Sequence, residues 1–268
     1  MDFNIIFITT AAITLIGLVS GILLAFVAKK FGEKEDPRVA RVEAALPGAN
    51  CGGCGSAGCA AYARAIVLDG APLNLCIPGG PKTVEALAKV TGRDGGEALE
   101  PSMAVVLCRG DRNAAQRRSD YNGVNDCGAA NIVAGGWKAC SYGCLGFGTC
   151  ARTCAFGAII IKDGLAIVDP DICTGCGACS KVCPRSIIKI VPRKHKINML
   201  CSSFDKGAAV RKICDKGCIG CMQCVKLENN PETLSMNGAL AVINYSKEPI
   251  NNEGVIEKCP VKCFVKIG

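Results

Sequence analysis

The chain has 268 residues, with 21 Cys against a single His and a single Trp, and aromatic residues make up only 5%. One His limits mixed Cys/His zinc sites to at most one. An odd number of Cys in a long chain argues against a secreted disulfide scaffold, and scarce aromatics argue against nucleic-acid binding by base stacking. The formal charge of +8 counts every thiol as neutral. Four cubane clusters with their thiolates would carry roughly −8, so the surplus of Lys and Arg reads as a counterweight to buried anions.

From Phe3 to Ala28 no residue is charged, and Ile, Leu, Val, Ala and Phe dominate. At about 1.5 Å rise per residue, such a helix spans a hydrocarbon core. A signal peptide would show a basic n-region and a small-residue cleavage site, and neither is visible here. Lys29 and Lys30 follow directly. The positive-inside rule then places the bulk of the chain on the cytoplasmic side of the inner membrane, as a single-pass protein. Gly17 and Gly21 form a G-x-x-x-G pair suited to a partner helix. In that reducing compartment, clustered Cys read as metal ligands rather than disulfides.

Residues 31–46 read as a polar linker and an amphipathic helix carrying Val39, Val42 and Leu46, stopped at Pro47-Gly48. The first thiol group follows: Cys51, Cys54, Cys59 and Cys76. Glycines between these ligands let the backbone wrap an inorganic core and present amide N–H groups to its sulfurs. Zinc sites usually take two ligands from each of two loops. Here three come from one short stretch, which favours a [4Fe–4S] cluster.

Cys173-x2-Cys176-x2-Cys179-x3-Cys183-Pro184 is the full bacterial ferredoxin run. Its fourth Cys serves the other cluster of a pair, so the run predicts a mate, and Cys140, Cys144, Cys150 and Cys154 lie upstream. Between the two groups, Ala158–Ile161 and Leu165–Val168 flank Asp163-Gly164, a hairpin signal. Crossing the ligands gives one site of Cys154, Cys173, Cys176 and Cys179 and another of Cys140, Cys144, Cys150 and Cys183.

The sequence then repeats itself. Cys127 aligns with Cys201, Cys140 with Cys214, Cys144 with Cys218, Cys150 with Cys224 and Cys183-Pro184 with Cys259-Pro260. Cys154 is replaced by Glu228, and the Lys247–Ile256 stretch holds no Cys where the first copy has Cys173, Cys176 and Cys179. All four ligands of one cluster are lost together, while Cys218, Cys221, Cys224 and Cys259 survive as one crossed set. Phe147 stands where the second copy has Cys221, so Cys140 is taken as the substitute ligand. That leaves Cys108, Cys127, Cys201, Cys214 and Cys263. The first four either build a fifth cluster or, with Cys263, pack as buried thiols.

Other signals carry less. His195 sits in a charge run, Arg193-Lys-His-Lys196, that reads as a solvated face without a ligand role. Trp137 reads as packing. Gly143-x2-Gly146-x-Gly148 fails as a dinucleotide loop because Cys144 interrupts it and no βαβ unit surrounds it. No residue is assigned a catalytic role. Arg109, Arg112, Arg117, Arg118, Lys206, Arg211 and Lys212 offer either a solvated face or electrostatic steering of an acidic redox partner.

The uncharged N-terminal helix, the segment Cys51-Gly-Gly-Cys-Gly-Ser-Ala-Gly-Cys-Ala-Ala-Tyr-Ala, and the Cys108-Arg-Gly and Tyr142-Gly-Cys-Leu-Gly-Phe-Gly segments resemble the B-subunit family of Rnf complexes in its longer form. The resemblance implies membership of a membrane complex that oxidises reduced ferredoxin, reduces NAD⁺ and moves Na⁺ or H⁺. It implies membrane and flavin-bearing partner subunits, with this subunit receiving the electrons of ferredoxin. Other classes are an iron–sulfur subunit of a hydrogenase or formate-linked complex, and a thiol-rich zinc or redox-sensing protein. The expected fold is α+β: a transmembrane anchor (1–30), a four-Cys [4Fe–4S] domain (31–92), a two-cluster ferredoxin-like module with an insertion (93–200) and a degenerate one-cluster module (201–268). Four [4Fe–4S] clusters are expected, five if the remaining thiols join.

Overall fold

A computed structural model describes residues 3–31, 36–97 and 99–268, without the side chains of Ala28 and Phe31. The chain divides into two compact units, residues 1–39 and residues 40–268. The first is dominated by helix α1 (Phe3–Phe31), whose segment Phe3–Val27 has a mean hydropathy of 2.3 and is long and apolar enough to cross a membrane. Thr9, Thr10 and Thr14 turn their hydroxyls back onto carbonyls one turn earlier, so their polar groups need no water. Helix α2 (Pro37–Ala44) follows, and Val39, Val42 and Leu46 are buried, as the amphipathic reading expects.

The second unit opens on the loop of Cys51–Gly58 and two helices, α3 (Cys59–Leu68) and α4 (Gly80–Thr91). Tyr62 is the buried post between them. Its hydroxyl donates to the Pro72 carbonyl at 2.7 Å and accepts the Leu75 N–H at 3.2 Å, which fixes the turn that presents Cys76. Arg93 closes the region from the other side, on the carbonyls of Ile66, Gly70 and Ala71.

Two ferredoxin-like layers then repeat. In the first, β1 (Ser102–Val106) pairs antiparallel with β4 (Ile188–Pro192), and β2 (Ile159–Lys162) with β3 (Leu165–Val168). The β2–β3 turn places Asp163 at φ 49° and Gly164 at φ 71°, the left-handed pair that an Asp-Gly hairpin demands. Short helices α5 (Cys127–Ile132), α6 (Thr149–Thr153) and α7 (Ala178–Lys181) carry thiols at or next to their first residue. In the second layer β5 (Ile197–Met199) pairs with β8 (Phe264–Lys266), and β6 (Leu234–Asn237) with β7 (Leu240–Ile243). Helices α8 (Gly207–Ile213), α9 (Gln223–Glu228) and α10 (Gly254–Glu257) complete it. Its first strand thus begins at Ile197, ahead of residue 201, because β5 is needed to close the sheet with the C-terminal β8.

Two sequence expectations change here. His195 is completely buried, edge-on to the Tyr245 ring at 5.2 Å between centroids, while Lys194 and Lys196 on either side are exposed. The strand-like alternation at the β4–β5 turn sends the middle residue of the charge run inward, and burial holds its imidazole below the ordinary pKa. The second concerns the repeat. Leu107-Cys108 follows β1 as Leu200-Cys201 follows β5, and the sulfurs of Cys108 and Cys201 accept the equivalent N–H groups of Cys144 and Cys218. The structural counterpart of Cys201 is therefore Cys108. Cys127 belongs to an insertion of the first copy that the second copy lacks.

Candidate metal centres

None of the 21 cysteines forms a disulfide. Among the described residues, no three His, Cys, Asp or Glu side chains converge closely enough to hold one metal ion. A zinc ion draws four sulfurs to about 2.3 Å from a single point. Groups of thiols line small cavities.

In the first centre Cys51, Cys54 and Cys59 all act on the Cys76 thiol, which burial raises above its ordinary pKa. The loop reaches this shape because Asn50 accepts the Cys59 N–H at 2.7 Å and Gly58, at φ 112°, leaves room for that amide side chain. The second centre brings Cys154, Cys173, Cys176 and Cys179 around one cavity, with Cys173 and Cys179 buried in the apolar core. Cys173 also accepts the Ala104 N–H at 3.3 Å from the strand beneath.

The third departs from the expectation. Its cavity is lined by Cys127, Cys144, Cys150 and Cys183, and Cys140 lies elsewhere. Phe147, standing where a ligand is missing, packs with Leu145 against Cys127 and Ala130 and lies tilted against Tyr121 at 5.0 Å between centroids. That apolar patch seats α5 over the cavity, so Cys127, from the insertion, lines it. Asp126 caps the helix: it accepts the Ala129 N–H at 3.0 Å and the Thr149 hydroxyl at 2.8 Å, while Thr149 accepts the Cys127 N–H at 2.8 Å. No local spacing announces Cys127. The repeat in the sequence pairs it with Cys201 and so hides it.

In the second layer Cys218, Cys221, Cys224 and Cys259 line one cavity, as the crossed set predicts. Cys263 also reaches it, but its thiol donates to the Lys216 carbonyl at 3.2 Å and its backbone N–H donates to the Cys259 sulfur at 3.2 Å. Cys263 beside them holds the Cys218 and Cys259 thiols below their ordinary pKa. Cys263 follows Cys259 at the interval at which Ile187 follows Cys183, and both are buried, so it packs as a small hydrophobe. Where the second layer has lost its other ligand set, Val255 occupies the place of Cys179, fully buried with Ile250 and Leu227 packed beside it. Glu228, in the place of Cys154, has its carboxyl pKa raised by burial and gains no metal-binding neighbours.

Burial pushes the Cys144 and Cys179 thiols up to about 11, and burial together with surrounding sulfurs pushes Cys150 up to about 12. Such groups stay protonated near neutral pH until a metal displaces the proton. The donor set is all sulfur, apolar in its surroundings and rich in main-chain N–H groups. It fits iron–sulfur clusters.

The comparisons with known proteins agree. The profile of the family described as "Putative Fe-S cluster" matches residues 46–78, and that of the 4Fe-4S binding domain matches residues 166–189. The chain is 43% identical to the B subunit of the Na⁺-translocating ferredoxin:NAD⁺ oxidoreductase complex of Acetobacterium woodii, over 97% of this chain and 78% of the relative. It is 45% identical to the proton-translocating counterpart of Clostridium ljungdahlii, over 96% of this chain and 91% of the relative. The chain belongs to the B-subunit family of Rnf complexes. A third member, the B subunit of the ion-translocating oxidoreductase complex of Methanosarcina acetivorans, is 38% identical over 79% of this chain and 80% of its own length. This B subunit is accordingly an iron–sulfur electron-transfer subunit of an Rnf-type complex.

Proposed function

We propose that this B subunit takes electrons from reduced ferredoxin at the cytoplasmic face of the inner membrane and relays them to the membrane and flavin-bearing subunits that reduce NAD⁺ and move an ion. Its four ligand sets are Cys51, Cys54, Cys59 and Cys76; Cys154, Cys173, Cys176 and Cys179; Cys127, Cys144, Cys150 and Cys183; and Cys218, Cys221, Cys224 and Cys259. When bound, [4Fe–4S] clusters supply one-electron chemistry whose potential depends on hydrogen bonds to sulfur, local charge and exposure. The chain's own residues fix the spacing between the sets.

The single observation that carries the relay is the seam between the first two sets. A Cβ at Gly53 would meet the Cys176 carbonyl oxygen at 2.7 Å, Lys181 donates to the Gly52 carbonyl at 3.0 Å, and Cys51 acts on the Cys176 thiol. Glycine at position 53 lets the two ligand loops touch backbone to backbone. Lys29 and Lys30 at the end of α1 support the cytoplasmic orientation. The Na⁺- and proton-translocating relatives match this chain almost equally well. The choice of ion therefore belongs to residues outside those this chain shares with both.

The test is ferredoxin-driven NAD⁺ reduction by the whole complex carrying Cys176→Ser. Turnover should be abolished; undiminished turnover would overturn the route.

A further inference from the structure

We infer that Cys108, Cys140, Cys201 and Cys214 hold a fifth [4Fe–4S] cluster that joins the two ferredoxin-like layers. The inference rests on the iron–sulfur reading above and extends it to four thiols which that reading leaves unused.

All four line one cavity. It is similar in size to the three other cavities lined by four or more thiols. The arrangement is a pair of pairs. Cys108 and Cys201 stand at the same point after β1 and β5, and Cys140 and Cys214 precede Cys144 and Cys218 at the same interval. Each layer supplies half of the site. The insertion stitches the halves together: Ala115 bridges to Cys214, Gln116 donates to the Ile213 carbonyl at 2.9 Å, and Ala139 donates to the Gln116 carbonyl at 2.9 Å.

Three features separate these thiols from inert buried ones. First, each sulfur accepts main-chain N–H groups, Cys108 from Cys144, Cys140 from Tyr142, Cys201 from Cys218 and Cys214 from Lys216. Cys263, by contrast, donates its thiol to a carbonyl. Acceptor sulfurs are thiolates in waiting. Second, Lys138 lines the same cavity and is only 1% exposed; its ammonium donates to the Gly110 carbonyl and sits 5.0 Å from the Trp137 ring centroid. No carboxylate among the described residues forms a salt bridge with it. A buried cation needs a counter-anion, and a cluster with four thiolates, carrying about −2, is one. Third, the cavity lies where a relay needs it. The Cys144 N–H reaches the Cys108 sulfur at 3.4 Å and the Cys218 N–H reaches the Cys201 sulfur at 3.3 Å, so the site touches a ligand of each neighbouring set.

The experiment is an iron, zinc and sulfide count on the full chain after anaerobic reconstitution, with EPR of the reduced protein, for wild type, Cys214→Ser and Cys221→Ser. Wild type should hold about twenty iron atoms, four per cubane. Cys214→Ser and Cys221→Ser should each lose about four, together with different EPR signals. A wild-type count of about sixteen overturns the fifth site, and it does so whether or not Cys214→Ser folds. So does a zinc atom that Cys214→Ser alone releases. If Cys221→Ser loses iron and Cys214→Ser does not, the fifth site falls and the four-set reading stands. If neither loses iron, both readings fall.

Discussion

The Cys108 sulfur accepts the backbone N–H of Cys144 at 3.4 Å. A thiol that follows the first strand is thereby tied to the peptide of a ligand in the neighbouring centre. The same contact recurs between Cys201 and Cys218. Each bond lies within its own ferredoxin-like layer, and the two layers meet beside one cavity where Ala115 bridges to Cys214.

Lys138 gives this junction a measurable electrostatic signature. Removing a unit positive charge within several ångströms of a redox centre, at an effective dielectric near 20, changes its energy by about 2 kcal/mol. For one electron that is roughly 80 to 90 mV. Lys138→Gln should lower the midpoint potential of one cluster by that order without loss of iron, in a redox titration followed by EPR. An unchanged set of potentials would show that the ammonium does not face a cluster.

Cys127 and Cys140 lie in different cavities. Cys127→Ser should therefore erase the same EPR signal as Cys150→Ser, and Cys140→Ser should spare it. The reverse pattern would restore Cys140 to the third centre.

Asp126 holds α5, and with it Cys127, in place. The Ala129 N–H and the Thr149 hydroxyl hold its carboxyl below the usual carboxylate pKa. A lowered folded-state pKa means that the cap is fully formed above the ordinary value near 3.9 and is lost only as pH falls through the lowered one. Asp126→Ala should release iron to a chelator faster than wild type, by a ratio that stays constant from about pH 8 to 5. A ratio that collapses within that window would place the titration on another group.

Met222 adopts φ 61° at the residue before α9, where the corresponding positions before α6 and α7 are Gly148 and Gly177. A left-handed conformation costs a non-glycine residue about 1–2 kcal/mol, and glycine loses part of that gain to unfolded-state entropy. Met222→Gly should stabilise the chain by up to about 1 kcal/mol, seen as a higher denaturant midpoint at unchanged slope.

The vacated half of the second layer is filled by hydrocarbon. Ile250→Ala should cost about 2–5 kcal/mol, the range for truncating a buried Ile, because Ile250 is only 3% exposed in that core. Iron content should not change. Loss of iron would mean that the position still supports a centre.

Local pattern by itself determined much of this protein. The apolar run of α1, the Asp163-Gly164 hairpin and the ligand loop of Cys173, Cys176 and Cys179 are all short-range features. Their geometry follows from residues a few positions apart, so spacing suffices to read them. Loss of one whole ligand set from the second copy was legible for the same reason. Which thiols share a cavity was decided only in three dimensions. Cys127 reaches its centre because Phe147 and Leu145 bury α5 against them, and Cys108 meets Cys214 because the insertion pairs with the segment before Cys214. The burial of His195 likewise depends on Tyr245, far along the chain. Those contacts come from packing between distant segments, and the interval between two cysteines carries no trace of it.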